Sequence, residues 1–284
     1  MTTPVAGSNA RRAAGLVLLA IVLAVTCGLL GRWQWNRHVD RDAVISGIEA
    51  NYDAPPVPLE QLLAAPGAVV PDAEVWRPVT AVGHYEAEHT ALLRNRPVDG
   101  ENGYQILVPF VVAGAGGAST GAVIVVDRGW VPLGPNDRPS SVPAPPSGRV
   151  EITVRLRADE PASPRGAPAG QVQAISTAQV LAAGGIDAAT VSTYRAYGVL
   201  STEKPAAAAA LEPLVKPSLD PGSHLSYAFQ WWTFALGALI GFTRLGWLEL
   251  HEPGPGAPAE AAPRRRRGPS AEDEEDALID SQLP

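Results

Sequence analysis

Two uncharged apolar runs, one near each end of the chain, limit what this sequence can fold into more than any other feature. Residues 13–31 and residues 225–243 contain no Asp, Glu, Lys or Arg. A helix needs about twenty apolar residues to cross the hydrocarbon core of a membrane, and each run supplies that length. We therefore predict a membrane protein in which transmembrane helices at 13–31 and 225–243 flank one folded domain, residues 32–224.

Arginine residues beside these runs indicate the orientation of the chain. Two arginines precede the first run, Arg244 follows the second, and residues 264–267 are all Arg. Short Arg-rich flanks stay in the cytoplasm, whereas long domains are translocated largely regardless of their charge. The sequence thus predicts a multi-pass protein of the bacterial plasma membrane. Residues 1–12 and 244–284 are predicted to be cytoplasmic, the latter largely disordered, and the central domain extracytoplasmic.

The cysteine content and the net charge exclude several classes of protein. The single cysteine, Cys27, lies within the first run. Thr26 is an unusual residue before a lipoprotein cysteine, and no Ala-x-Ala site follows, so we interpret this run as an uncleaved helix. The central domain has neither a disulfide nor a thiolate pair for copper or zinc. With a net charge of −7, and Arg264–Arg267 as the one sustained basic stretch, the chain lacks a footprint for nucleic acid.

Short β-like runs fill most of the central domain. They are rich in Val, Ile, Thr and Tyr and are separated by Gly, Pro, Asn and Asp, which is typical of hairpins. The predicted strands are residues 77–85, 90–96, 103–112, 122–131, 149–157 and 192–202. Residues 39–50 and 177–183 are predicted as helices. The predicted fold class is therefore two transmembrane α-helices flanking an α+β domain with a mainly antiparallel β-sheet or a small barrel.

Two Arg-bearing motifs stand at the ends of predicted strands. They are Arg94, Asn95 and Arg96 in one motif, and Asp127, Arg128, Gly129 and Trp130 in the other. One interpretation is an anionic site, because a guanidinium fork matches a carboxylate or a phosphate. The other is structural: Asp127 pairs with one of the arginines and fixes a corner of the sheet. Since no nucleophile or metal set accompanies the motifs, the structural interpretation leads.

Catalytic signatures are scarce in the whole chain. The five histidines show no zinc-helix spacing, and no Gly-x-Ser-x-Gly elbow occurs. The glycine-rich residues 114–117 lack the Lys-Ser/Thr of a phosphate loop. We therefore predict that the protein is not an enzyme.

The second apolar run begins beside a histidine, His224, which is followed by Tyr227 and Trp231. On a helix the spacings of three and seven place these side chains on one face. An imidazole can ligate haem iron axially, and flat aromatic rings can flank the macrocycle. The alternative is anchoring at the headgroup level, where Trp and Tyr are common. Local chemistry alone favours anchoring.

Six short motifs in sequence order resemble the surfeit locus protein 1 family. They are Gly31-x-Trp33-Gln34-x-x-Arg37, Gly83-x-Tyr85, Arg94-Asn95-Arg96, Gly103-Tyr104 with Pro109, Asp127-Arg128-Gly129-Trp130-Val131-Pro132, and His224-Leu225-x-Tyr227-Ala228-x-Gln230-Trp231. Each motif is short, but the set in this order, with an apolar run at each end, is specific. The resemblance covers residues 31–241.

This resemblance implies a non-enzymatic assembly factor for cytochrome c oxidase that assists the delivery or insertion of haem a into the catalytic subunit. The family's histidine at the start of the second helix, linked there to haem a, corresponds to His224 as a ligand of the haem iron. Tyr227 and Trp231 would then shape the pocket. The implied partners are the oxidase catalytic subunit, a haem a synthase and membrane lipid. The alternative is a scaffold that links the oxidase subunit and the synthase without binding haem.

Overall fold

The computed structural model of the chain forms two compact units. One contains residues 1–35 with residues 225–284, and the other contains residues 36–224. The structure describes residues 6–98, 100–114, 119–135, 138–139, 141–209 and 211–251. The predicted disordered tail therefore lies almost entirely outside the described residues.

Two long helices build the first unit. Helix α1 spans Ala6–Asn51 and helix α4 spans His224–His251, and within the first unit their apolar parts pack as an antiparallel pair. A Cβ atom added to Gly31 would lie 2.3 Å from Nε1 of Trp232, and one added to Gly246 would lie 3.3 Å from the carbonyl oxygen of Ala13. Small residues let two helix backbones approach closely, as they do at Gly246, whereas at Gly31 the missing side chain makes room for the Trp232 indole.

Small residues recur every four positions at Ala20, Ala24 and Gly28 in α1 and at Gly237 and Gly241 in α4, but only some of them lie where the helices meet. Ala20 is fully buried, whereas Gly28, Gly237 and Gly241 have open space where a Cβ atom would stand. Spacing of four between small residues identifies a face that can pack, but the neighbouring helix decides which residues it contacts. Among the described residues, α1 is the one helix long and apolar enough to cross a membrane by its length and composition. The second predicted span stays a prediction.

Within the described residues, eight strands and two short helices build the second unit, together with the last part of α1. The strands are β1 (Val57–Pro58), β2 (Pro78–Tyr85), β3 (Ala91–Leu93), β4 (Gly103–Ala113), β5 (Ser119–Pro132), β6 (Val150–Ala158), β7 (Gln171–Val172) and β8 (Thr193–Lys204). The short helices are α2 (Leu59–Leu62) and α3 (Thr177–Ala183), and there are 3-10 turns at Asp72–Glu74 and Ala87–His89. The predicted mixture of helix and sheet is confirmed.

Five of these strands close into a barrel in the order β2, β4, β5, β8, β6 and back to β2. Neighbours around the barrel are antiparallel except β5 and β8, which are parallel. The short strands β1 and β7 extend the sheet by parallel pairing with β2 and β3. A five-stranded Greek-key barrel is also the plan of the OB-fold, and this plan by itself states no function.

Glycine at position 83 allows the barrel to close. Gly83 is paired with Val150 of β6 on one side and with Val112 of β4 on the other. A Cβ atom at this position would lie 2.0 Å from the carbonyl oxygen of Val111 and 2.7 Å from the ring of Phe110. Because real Cβ atoms do not approach a backbone oxygen so closely, any other residue would push β2 and β4 apart.

Alternating side chains fill the inside of the barrel and cover part of its outside. Along β5, Ala122, Ile124 and Val126 belong to the interior cluster, while Val125 belongs to a second cluster beneath α3. This period of two is the pattern of a strand with apolar contacts on both faces. The outer cluster continues through Leu107 and Val180, so α3 is held against the barrel wall.

The six predicted strands are confirmed in place as β2, β3, β4, β5, β6 and β8, whereas the two-residue strands β1 and β7 were not predicted. Two other differences concern the end of β3 and the pairing within the sheet. Residues 90–96 were predicted as one strand, but β3 ends at Leu93 because Asn95 takes a positive φ of 60° and turns the chain. The sheet also contains three parallel pairs, so it is mixed and not purely antiparallel. The predicted helix at residues 177–183 has the observed bounds of α3.

We expect Gly83→Ala to lower the free energy of unfolding by about 1–3 kcal/mol or more, because the added methyl group overpacks the barrel seam. Urea unfolding of the full chain in detergent, followed by near-UV circular dichroism, measures this change. Gly166→Ala is the matched control, since Gly166 has open space around the position of a Cβ atom. Equal stability of the two variants would contradict the role assigned to Gly83.

Candidate functional site

A side chain from α1 holds the segment that leads into His224. Arg41 donates from Nε to the carbonyl oxygen of Asp220 at 2.9 Å and from Nη2 to that of Ser218 at 2.7 Å. The backbone N–H of Gly222 donates to Oδ1 of Asp220 at 2.8 Å, and Gly222 has a positive φ of 69°. These bonds fix a turn just before α4, and His224 is the first residue of that helix.

The three predicted cofactor residues lie on one continuous helix. His224, Tyr227 and Trp231 all belong to α4, so their spacing does place them on one helix face. His224 is half-buried, the side chain of Tyr227 is 47% exposed, and Trp231 packs edge-on against Phe234 with ring centroids 5.9 Å apart. The structure does not test whether these residues bind a cofactor, and that assignment stays a prediction.

The neighbouring tryptophan, Trp232, makes the helix–helix contact instead. Its ring lies 6.0 Å from that of Trp35 and 5.6 Å from that of Phe229, measured between centroids. The motif residues of α1 in this region differ in exposure: Trp33 and Arg37 are exposed, and Gln34 is half-buried. The Gly31 position in the same motif has a clear structural cause, because the indole of Trp232 occupies the space of a side chain there.

The first Arg-bearing motif forms a turn closed by an ion pair. Asn95 has a positive φ, which Asn tolerates better than most residues, and its Nδ2 donates to Oε1 of Gln173 at 2.7 Å. Arg96 donates from Nη2 to both carboxylate oxygens of Glu160, at 2.6 and 2.8 Å. The backbone N–H of Arg94 donates to the carbonyl oxygen of Val172. This motif therefore ties the end of β3 to the chain around β7.

In the second motif the adjacent side chains of Asp127 and Arg128 lie in different surroundings. Arg128 donates to Oε1 of Glu203 at 2.8 Å, and the two side chains are only 2% and 10% exposed. Arg128 also donates to the carbonyl oxygen of Pro143 at 3.1 Å, and its guanidinium lies 5.3 Å from the centre of the Tyr85 ring. Burial and the neighbouring Glu203 carboxylate raise the pKa of Tyr85 far above its usual range. The Tyr85 hydroxyl therefore stays protonated and uncharged.

Asp127 is buried without a cationic partner in direct contact. Its side chain accepts a hydrogen bond from the backbone N–H of Gly129, and its Oδ1 atom has no partner in the described part of the chain. Burial raises the pKa of the Asp127 carboxyl well above its usual value, while Gly129 and Arg96 oppose that shift. The expected pairing of Asp127 with an arginine is therefore not observed. Arg96 pairs with Glu160 instead, and Arg128 pairs with Glu203.

Gly129 and Trp130 bring the chain that precedes α4 onto β5. Gly129 has a φ of 142°, and a Cβ atom there would lie 2.6 Å from the carbonyl oxygen of Glu212. The backbone N–H of Trp130 donates to that same oxygen at 2.9 Å, and the Trp130 side chain is 2% exposed. The motif therefore has a clear structural cause at Arg128, Gly129 and Trp130.

Sequence reasoning missed the residues that complete these contacts. Glu160 and Glu203 stand 64 and 75 positions from the arginines they bind, and Arg41 stands 179 and 177 positions from the two residues whose carbonyl groups it binds. Their signal in the sequence is weak, because charged residues in loops and at strand ends are common. Among the described residues, no group of three or more His, Cys, Asp or Glu side chains is placed to hold a metal ion.

The Arg128–Glu203 pair is expected to contribute strongly to stability. Glu203→Gln leaves a buried guanidinium without its counter-charge, so we expect the free energy of unfolding to fall by about 3–5 kcal/mol. Glu151→Gln on the neighbouring strand is the control, since its partner Lys204 is 3.9 Å away and both side chains are more than half exposed. That change should cost roughly 0–1 kcal/mol. Urea unfolding would refute the assignment if both variants lost the same amount.

The sequence profile of the SURF1 family matches residues 21–236, from within α1 to within α4. Uncharacterized SURF1-like proteins of Mycobacterium tuberculosis and Mycobacterium bovis are 34% identical to the chain over 241 residues, with 83% of each chain covered. A protein of Saccharomyces cerevisiae named cytochrome oxidase assembly protein SHY1 is 28% identical over 116 residues, which is 40% of this chain and 27% of that one. The chain belongs to the SURF1 family.

Proposed function

We propose that this protein is a non-enzymatic assembly factor for cytochrome oxidase in the bacterial plasma membrane. The observation that carries the proposal is the family match, which runs without a break through residues 21–236. The name of the yeast relative supplies the process, cytochrome oxidase assembly. The paired charges of the barrel motifs agree with a binding module, since Arg96 and Arg128 are already engaged by carboxylates.

The proposal includes two membrane spans with the barrel domain outside the cytoplasm. Helix α4 is 28 residues long, and its residues 225–243 carry no charge, which is enough length to cross a hydrocarbon core of about 30 Å. The arginines that precede the first apolar run and those that follow the second favour a cytoplasmic location for both termini.

We further propose that haem a is the group handled during assembly, with His224 as the axial ligand of its iron. Three properties of the residues fit such a group. His224 opens a helix, the Tyr227 ring is exposed enough to contact a flat macrocycle, and Trp231 follows on the same face. Bound haem would supply the iron to which the imidazole nitrogen coordinates. The protein's own residues would hold and orient it, and the hydrogen bonds of Arg41 would keep the start of α4 in place.

The rival function is a scaffold that holds the oxidase catalytic subunit beside a haem a synthase without touching haem. The folded barrel domain supports it, because a rigid domain with satisfied ion pairs suits protein docking. The two functions differ at one residue. A scaffold needs the domain but not the imidazole of His224, whereas a haem carrier needs both.

Haem binding at His224 is tested by co-expressing the full chain with a haem a synthase and purifying it. We expect His224→Ala to reduce the bound haem by about tenfold or more, because the iron loses its axial bond. His251→Ala is the matched control, since His251 ends the same helix and should keep its haem. The visible absorption spectrum measures the bound haem. Equal haem in the two variants would refute the ligand assignment.

The scaffold predicts a different result from the same variants. His224→Ala would then leave oxidase activity in a deletion strain intact, while removal of residues 36–224 would abolish co-purification with the oxidase subunit. Oxidase activity per cell and affinity purification separate these outcomes.

The two-span arrangement is tested by single-cysteine labelling in spheroplasts. In a Cys27→Ser background, we expect an impermeant maleimide to label Ser147→Cys, because position 147 is exposed on the barrel domain. Arg12→Cys and Gly268→Cys should react only after permeabilisation. Labelling of Gly268→Cys in sealed spheroplasts would contradict the second span while leaving the first intact.

A further inference from the structure

A pocket of about 270 Å³ lies on the outer wall of the barrel. Its floor comes from four strands that are neighbours in the barrel: Gln105 of β4, Asp127 of β5, Tyr197 of β8 and Arg157 of β6. Loop residues, among them Trp76, add the sides. The volume equals that of roughly nine waters at ~30 Å³ each, so the pocket suits a small organic molecule.

Three polar atoms around this pocket are buried without a hydrogen-bond partner in the described residues. They are Oδ1 of Asp127, Oε1 of Gln105 and Nε of Arg157. Buried polar atoms are almost always paired, and each exception calls for a ligand or an ordered water. Of the eight buried unpaired side-chain atoms in the described residues, these three line one pocket, so one bound ligand could satisfy all three.

Arg157 is held in place by aromatic rings and not by a carboxylate. Its guanidinium lies 4.0 Å from the centre of the Trp76 ring and 6.0 Å from that of Tyr197. No ion pair of Arg157 occurs in the described ranges. Trp76 itself has a positive φ of 72°, a strained conformation that non-glycine residues adopt mainly at ligand-binding and functional sites. The pocket therefore presents a positioned cation whose charge no carboxylate satisfies.

The donors and acceptors define the ligand. The N–H of Arg157 needs an acceptor, and a carboxylate is the acceptor that a guanidinium binds best. The Oε1 atom of Gln105 needs a donor, which a carboxylate cannot supply. We propose that this pocket binds a small organic carboxylate with a hydroxyl or N–H donor on the neighbouring carbon. Free 2-hydroxy acids have this chemistry, and so does the C-terminal residue of a peptide.

The protonation of Asp127 makes the affinity for the ligand depend on pH. Burial raises the pKa of its carboxyl, and in the protonated form it donates a hydrogen bond to the ligand's carboxylate. Three groups interact with it electrostatically: Arg96, Glu160 and Tyr197, whose own pKa is raised to about 12 by burial. Arg157 lines the same pocket. Since the raised pKa of Tyr197 keeps that phenol neutral, affinity should fall as pH rises through the pKa of Asp127.

The test uses the purified full chain in detergent and equilibrium dialysis with ¹⁴C-labelled glycolate. We expect saturable binding that acetate, which lacks the hydroxyl, competes for more weakly. Gln105→Glu places a second carboxylate beside the ligand and should weaken binding by about tenfold or more. Gln171→Glu is the matched control, because Oε1 of Gln171 is also buried and unpaired but lies outside this pocket.

Two further variants keep the test decisive if Gln105→Glu fails to fold. Arg157→Lys keeps the charge but loses the planar donor, so binding should weaken by a similar factor. Asp127→Asn keeps a donor in place of the acid and should bind glycolate with an affinity that no longer depends on pH. Thermal unfolding of each variant confirms that it is folded.

The outcomes distinguish two sources of the ligand, and they also show whether the proposal holds. Tighter binding of N-acetylglycine than of glycolate would support a peptide terminus, and the reverse would support a free hydroxy acid. Absence of saturable binding by both probes would mean that ordered water alone satisfies the three atoms, and would overturn the proposal. Equal effects of Gln105→Glu and Gln171→Glu would overturn it too. Neither result depends on haem or on oxidase assembly.

Discussion

The structure of the folded domain depends on a single strand that pairs along both of its edges. Strand β2 joins β6 over most of its length and β4 at its end, and Gly83 belongs to both ladders. Closing the barrel removes from water the interior cluster that includes Phe110, Ile124 and Ile152, and burial of such side chains is the main favourable term in folding.

The motif Asp127–Trp130 shows how one short stretch can serve two sides of a barrel wall. Arg128 meets Glu203 and the ring of Tyr85, whereas Asp127 lines the outer pocket with Gln105 and Tyr197. Both arginine motifs act through partners far away in the sequence: the first binds the end of β3 to Glu160 and β7, and the second binds β5 to β8. Residues that mark the family in this domain are therefore explained largely by the contacts that hold the barrel together.

The sequence predicted elements well and partners poorly, for physical reasons. Strand alternation and turn residues are local signals, so the places of β2, β4, β5, β6 and the helix α3 followed from them. Which strands pair is a property of the whole chain, and the parallel contact of β5 with β8 has no local signature. Likewise the carboxylates that bind Arg96 and Arg128 stand more than sixty residues away. Gly31 was found as a motif residue, but its cause, the ring of Trp232, required the structure.

The strand order also determines when the barrel can close during synthesis of the chain. The parallel partner of β5 and the last neighbour of β6 is β8, which ends at Lys204, so the barrel has no complete wall until synthesis has passed that residue. At ~5–20 residues per second this leaves roughly ten seconds or more after α1 has emerged. During that interval the apolar part of α1 is already exposed to its surroundings, while the domain that follows is still unfolded. The first helix is thus placed by its own sequence, without help from the domain.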